Sequence, residues 1–382
     1  MSLTFTIPSN RAHRIAVSTF FFIAGFTFAS WASRIPDIKT KLLLSDAGLG
    51  AVLFALPVGL MVSMPFSGYF VARFGSRRVV IITALFYPLT LILLGLAPSV
   101  LMLSAVLFVF GFWGNLYNIS VNTQAVGVEA LYARSIMASF HGLWSLAGFT
   151  GAAIGTLMVA VALSPFVHFC IVCATAVLLV FIAYKYTLPH SDNNSSQPIF
   201  AKPDSSILKL GLIAFGCLVC EGTMFDWSGV YFQKVVKVPA SLTTLGYVAF
   251  MSSMAAGRFI ADWLVTKSGV KTMLQLSGIV ITTGLLIAVV FPYIIPATLG
   301  FLLVGLGVSS VVPVVYGLAG KSKTMLPGVA LAAVSTIGFL GFLIGPPLIG
   351  FIAGASSLRW SFTAIAFIGL GTTVLASKVK IG

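Results

Sequence analysis

Twelve apolar stretches, each about as long as a helix needs to be to cross a bilayer's hydrocarbon core, follow one another along the 382 residues of this chain. They cover 15–35, 47–72, 79–97, 100–127, 137–162, 165–187, 207–233, 240–266, 272–293, 295–319, 327–354 and 357–378. In hydrocarbon a backbone satisfies its N–H and C=O groups only as a helix or as a closed barrel. Barrel strands alternate apolar and polar residues over about ten positions, and these stretches do not alternate. The pattern therefore predicts an all-α polytopic membrane protein with twelve transmembrane helices. Charged residues make up 8% of the chain and hydrophobic ones 59%. A soluble domain carries about a quarter charged residues, so a soluble enzyme, a disordered chain and a disulfide scaffold are all excluded. The first stretch ends at Arg34-Ile35-Pro36, with no small-residue cleavage site, and reads as a retained helix and not a signal peptide.

The formal charge of +14 raises the question of nucleic acid, because basic proteins neutralise phosphate. Here the basic residues sit in ones, twos and threes between apolar stretches, with no basic face, so no nucleic-acid partner is expected. Their distribution reports topology instead. With the N-terminus inside, fifteen Lys and Arg face the cytoplasm, among them Arg11, Arg14, Arg134, Lys202, Lys323 and Lys380. Six face outward: Arg34, Lys39, Lys41, Lys234, Lys237 and Arg359, while Arg258 falls inside a helix. Both termini are accordingly expected in the cytoplasm of a bacterial inner membrane.

Residues 188–206, polar and containing three prolines, divide the chain into two sets of six helices, 1–187 and 207–382, joined by a cytoplasmic linker. The two sets resemble each other. Arg73-Phe74-Gly75-Ser76-Arg77 after the second stretch recurs as Lys267-Ser268-Gly269-Val270-Lys271 after the eighth, at an offset of 194 residues. The same offset relates Gly111 to Gly305 and Gly151 to Gly345, and an offset of 196 relates Ser30-Trp31 to Asp226-Trp227. Parallel half-repeats of this kind mark transporters whose site lies at the repeat interface near the membrane midplane.

Gly68, Arg73, Gly75, Arg77 and Arg78 give the chain a resemblance to the major facilitator superfamily that extends over essentially its whole length. The family's loop motif after the second helix has an Asp where this chain has Ala72, and a basic residue where it has Ser76. The resemblance implies a gating role for Arg73, Gly75, Arg77 and Arg78, with the gating carboxylate missing or moved. Ala29-Ser30-Trp31-Ala32-Ser33-Arg34-Ile35-Pro36, His141-Gly142-Leu143-Trp144-Ser145, and Glu221-Gly222 with Asp226-Trp227 are similar to the sugar-permease-like branch that includes fucose–proton symporters.

Ionisable residues within the membrane are costly and are functional candidates by default. Glu221 lies about 21 Å into its helix, near the midplane, at about 1.5 Å per residue. It has no basic residue within a turn, which suits a proton carrier and equally a neutral acid bonded to a neighbouring helix. Asp226, five residues on, shares a cavity with Glu221 only if the helix breaks, for which Gly222 is placed; otherwise it lies near the outer surface beside Trp227. His141 is a secondary proton-site candidate on a stripe of small residues. Arg258 and Asp262, four apart, share a helix face and pair as an inner gate or as a structural bridge. Asn115, Asn118 and Asn122 form one stripe that serves either as interhelical glue or, with Trp31 and Trp227, as a site for a hydroxyl-rich solute. Arg34 is a gate or anion ligand, or a snorkelling arginine.

Cys170-x-x-Cys173 and Cys217-x-x-Cys220 lie inside apolar helices of opposite halves. No metal and no cofactor are expected, since buried Cys is common without either. There is no phosphate loop and no nucleophile–base motif, so the chain is not expected to be an enzyme. The reading is a secondary transporter that moves a small polar solute, a sugar or sugar derivative, with protons by alternating access. Its partners are solute, protons and lipid bilayer, and it is expected to be a monomer. A drug or metabolite exporter and a non-transporting receptor or scaffold remain as alternatives.

Overall fold

The computed structural model describes residues 9–132, 136–189, 203–322, 325 and 327–379, with all their side chains except those at 138, 262, 327–329 and 332. Arg134, Lys202, Lys323, Lys380, the side chain of Asp262 and most of the 188–206 linker lie outside the described residues. Among those described, the chain forms fourteen α-helices. They are α1 (Asn10–Ala32), α2 (Ile35–Lys41), α3 (Asp46–Leu53), α4 (Ala55–Phe74), α5 (Ser76–Leu96), α6 (Val100–Glu129) and α7 (Met137–Ala160). There follow α8 (Pro165–Ala183), α9 (Ser205–Tyr231), α10 (Leu245–Ser268), α11 (Val270–Val290), α12 (Ile294–Ala319), α13 (Pro327–Ala355) and α14 (Leu358–Ser377). Side-chain caps mark several starts: Ser9, Ser45, Ser99, Ser164 and Asp204 each accept from a backbone N–H two or three residues on.

The twelve stretches of the sequence become twelve spans, with α3 and α4 sharing one. That span breaks at Phe54 because Pro57, which has no N–H, cannot donate to the Leu53 carbonyl four residues back. Eleven spans are long and apolar enough to cross a membrane; α10, carrying Arg258, Asp262 and Lys267, is the twelfth. The short α2 lies between α1 and α3 at the end of the molecule away from the chain termini, here called the far end.

The two halves are packed alike. In the first, α1 packs on α6, α7 and α8, α4 on α6, and α5 on α6 and α8; in the second, α9 packs on α12, α13 and α14, α10 on α12, and α11 on α12 and α14. Each pair maps onto its counterpart at the 194-residue offset. At residue scale, a Cβ on Gly59 or Gly111 would run into backbone at the α4–α6 crossing, and Gly305 meets Ser253 and Phe250 at the matching α10–α12 crossing. The loop repeat is matched as well: Gly75 has φ 81°, ψ 144° and Gly269 has φ 80°, ψ 153°, a region open to glycine and closed to other residues. This turn delivers each following helix straight back into the membrane.

The halves meet through α7 on α10 and α3 on α13, pairings that exchange under the same pseudo-symmetry. Among the described residues, the polar contacts between halves lie at the far end or at mid-depth. At the far end Asp46 of α3 receives Lys39 at 2.6 Å from its own half and Lys234 at 2.7 Å from the other. Gln233 donates to Thr40, and Thr156 bonds Thr244 at 2.5 Å. Backbone is in close approach at Gly50 and Gly350. The far end is therefore shut.

Two outcomes follow from this packing. Gly59→Ala is expected to lower thermal stability in detergent by an amount typical of overpacking, about 1–3 kcal/mol. Gly68→Ala on the same helix, where a Cβ meets nothing, is expected to be neutral or slightly stabilising. Separately, Lys234→Ala is expected to loosen the far end, since an ion pair of this exposure holds about 0.2–1 kcal/mol. A cysteine placed at Ala47, which abuts Gly354 across the halves, should then react a few-fold faster with a bulky maleimide; an unchanged rate would show that the Asp46 cluster does not hold the closure.

Candidate functional site

At mid-depth one cation ties the halves together. Arg258 lies thirteen residues into α10, about 20 Å from its far end, and its side chain leans back toward the helix N-terminus, as helical side chains do. That carries the guanidinium into the middle of the molecule. Nη2 stands 3.6 Å from Oε1 of Glu221 on α9. Nη1 donates to the hydroxyl of Ser145 on α7, in the other half, and the guanidinium lies 5.7 Å from the ring centre of Trp144, also on α7. Nε is buried and has no partner among the described residues. The Glu221 carboxyl makes no other ion pair among the described residues.

This pairing takes the charge of Arg258 to a carboxylate on another helix, a partner that spacing along α10 does not give. The side chain of Asp262, the partner expected on α10, lies outside the described residues. Arg77 and Arg78 are not brought to Arg258. With Arg73, Phe74, Gly75, Ile81 and Pro189 they line a separate pocket of about 520 Å³ at the termini end. Beside it Gln124 of α6 donates to Ser76 and exchanges hydrogen bonds with the backbone of Leu188, tying α6 to the turn before α5 and to the end of the first half.

Around the ion pair stands a ring of aromatic side chains with Phe225 as its hub. Its ring centroid lies 5.1 Å from Phe28 of α1, 6.3 Å from Trp144 of α7, 5.6 Å from Phe250 of α10 and 6.3 Å from Phe342 of α13. Phe225 is one turn beyond Glu221, so the polar and aromatic groups share one face of α9. His141, one turn before Ser145 toward the termini end, packs edge-on to Phe21 and is exposed.

Asp226 does not join Glu221. Helix α9 runs unbroken through both residues, and the π-type turn comes only afterwards, at Phe232–Val236. Gly222 instead receives the Phe342 ring, which a Cβ would meet at 2.9 Å. Asp226 is half-buried and makes no ion pair among the described residues.

The anticipated hydroxyl-binding constellation does not assemble. Asn115 donates to Ser67 at 3.1 Å and Ser63 at 3.4 Å, gluing α6 to α4. Asn122 donates to Asn118 at 2.6 Å on a more exposed part of α6. Trp31 and Trp227 are 1% and 0% exposed, with indole N–H groups that have no partner among the described residues, so neither offers a platform. Arg34 is 2% exposed, and each of its three nitrogens is engaged within its own half: with His168 at 3.1 Å, Asp37 at 2.6 Å and the Leu163 carbonyl at 2.8 Å. It braces α1 and α2 against α8. Cys217 and Cys220 point to carbonyls of Val308 and Ile365 on different helices.

Sequence reasoning picked out Glu221 and Arg258 but did not pair them, and it missed Phe225 and Phe28. Ser145 and Trp144 were visible only as members of the His141–Ser145 run.

The fold has close counterparts among solved structures. A crystal structure of the nucleoside transporter NupG matches with a TM-score of 0.80 at 13% identity, over 97% of this chain and all of that one. An inward-facing bacterial homologue of the human lysosomal transporter Spinster matches with a TM-score of 0.72 at 15% identity, over 98% of each chain. In sequence, the chain is 33% identical to an uncharacterised MFS-type transporter of Yersinia pestis, over 96% of this chain and 95% of that protein. It is 32% identical to the membrane protein MosC of Rhizobium meliloti, over 96% and 89%. The sequence profile of the Major Facilitator Superfamily matches residues 15–325. A twofold-repeated helical fold, full-length relatives and a profile spanning most of the chain agree: this protein belongs to the Major Facilitator Superfamily of membrane transporters.

Proposed function

We propose that the protein is a proton-coupled symporter of a small polar solute, working by alternating access, with Glu221 as the proton carrier. One observation carries this reading: Arg258 is shared between Glu221 of its own half and Ser145 and Trp144 of the other. A proton on Glu221 removes the charge that offsets Arg258, and so alters the grip of one half on the other. A conformational equilibrium responds to binding only through such differential interactions. Solute binding belongs beside the pair, in the ring of Phe28, Trp144, Phe225 and Phe342, and not at the asparagine stripe or the buried tryptophans. His141 stands below the pair as a candidate relay.

The charge bias of the sequence supports cytoplasmic termini in a bacterial inner membrane. The far end, shut by Asp46, Lys39 and Lys234, would then face outward, and the structure would correspond to an outward-closed state. Arg73, Arg77 and Arg78 around Gly75 remain the candidates for closing the opposite end.

Glu221→Gln, fixed in the neutral form, is expected to abolish uphill uptake driven by a pH gradient in proteoliposomes while leaving solute counterflow in place. Retention of gradient-driven accumulation would remove Glu221 as the carrier. For topology, a tag inserted in the 188–206 linker should be unreachable by impermeant reagents in intact cells; labelling there would reverse the assignment of the two ends.

A further inference from the structure

We infer that the solute carried with the proton is an anion, a small carboxylate with a flat or aromatic body, whose charge takes the place of Glu221 beside Arg258 in the loaded carrier. This deepens the preceding reading and rests on Glu221 being the proton carrier. When Glu221 is ionised, the pair is neutral. When Glu221 takes up a proton, one positive charge is left in a ring-lined site at mid-depth, and an unpaired charge there is strongly disfavoured. A neutral solute would leave that charge standing. A monoanion removes it, and one proton and one anion then cross together with no net charge moved.

The geometry of the guanidinium points to the same class. Nη1 is committed to Ser145 and one face to Trp144. The remaining side, made by Nε and Nη2, has an N–H without a partner among the described residues and a carboxylate held no closer than 3.6 Å. Two parallel N–H groups on one edge of an arginine match the two oxygens of a carboxylate. The rings of Phe28, Trp144, Phe225 and Phe342 suit a flat body beyond it. Among the described residues, no other group near the pair supplies the missing charge. The titratable neighbours are His141 on α7, Tyr247 on α10, Tyr316 on α12, and Cys217 and Asp226 on α9. Asp226 makes no ion pair with Arg258 among the described residues, while α1 and α13 contribute rings at this level and no titratable group.

The test is thermal unfolding of the purified full-length protein with formate, acetate and benzoate, each against its neutral amide, at about pH 5.5 and above, where these acids stay ionised. In Glu221→Gln, which mimics the protonated carrier, at least one acid should stabilise the protein well beyond its amide. That acid should bind about tenfold or more tightly than to wild type near neutral pH, and the effect should vanish in Arg258→Gln. In the wild type the same preference should strengthen from about pH 8 to about pH 5.5, which keeps the test open should the Glu221 variant not fold. Amides that stabilise as well as the acids would overturn the inference. So would a Glu221→Gln protein, or a low-pH wild type, stabilised by none of the acids over its amide. The two readings fail separately: gradient-driven uptake by Glu221→Gln removes the proton carrier whatever binds, whereas preference for amides with that uptake abolished removes only the anionic cargo.

Discussion

Lipid offers no partner to a stray peptide group and no hydrophobic reward for bringing two helices together, and the architecture follows from those two facts. The first forces each apolar stretch into helix. The second leaves association to close packing and to a few interhelical hydrogen bonds. Hence backbone meets backbone at Gly59 and Gly111, and again at Gly284 and Gly300, where a Cβ has no room. Between such crossings run hydroxyl and amide bonds: Tyr117 to the Phe20 carbonyl, Tyr231 to the Ala288 carbonyl, and Asn115 to Ser63 and Ser67. These bonds lie within halves, which makes each six-helix set a firm body. The interface between the sets is built from different material, namely ion pairs and rings around a small amount of close backbone contact.

The far-end closure rests on Lys234 to Asp46, Gln233 to Thr40 and Thr156 to Thr244, contacts partly open to water and individually worth little. A closure made of weak pieces suits the proposed alternation between two closed ends. Asp46 takes a lysine from each half, so its carboxylate would keep a partner if Lys234 left, and opening would not strand it.

The helices, the repeat and the turn at Gly75 were legible in the sequence because each depends on properties local to one segment: length, apolar content, a basic–x–Gly–x–basic run. The site was legible only in its parts. Helical spacing relates residues on the same helix, so it joined Arg258 to Asp262 and set Asn115, Asn118 and Asn122 in a row. It is silent on which face of α10 meets which face of α9, and so could not join Arg258 to Glu221. Gly222 misled for a related reason. A glycine in a helix beside an acid suggests a break, but this one makes room for the Phe342 ring, a neighbour more than a hundred residues away. Arg34 and the two tryptophans, singled out by composition and repeat position, turned out to be sealed braces because burial is a property of the assembled bundle.

Leverage decides which contact can couple chemistry to motion. Breaking a surface pair costs at most about 1 kcal/mol, a few-fold in an equilibrium, too little to drive a transporter from one state to the other. Removing one partner from a buried pair costs about 3–5 kcal/mol, a factor of hundreds or more. Among the described ion pairs, Arg258 with Glu221 is the one that is set at mid-depth and also bonded across the halves, through Ser145. Under the proposed coupling, a change of charge at Glu221 would act on the interface through a mostly buried pair, where a solute between the halves would touch it. Arginine suits the position because it stays charged whatever the state of Glu221, so the proposed cycle would turn on which acceptor faces it and not on whether it is protonated.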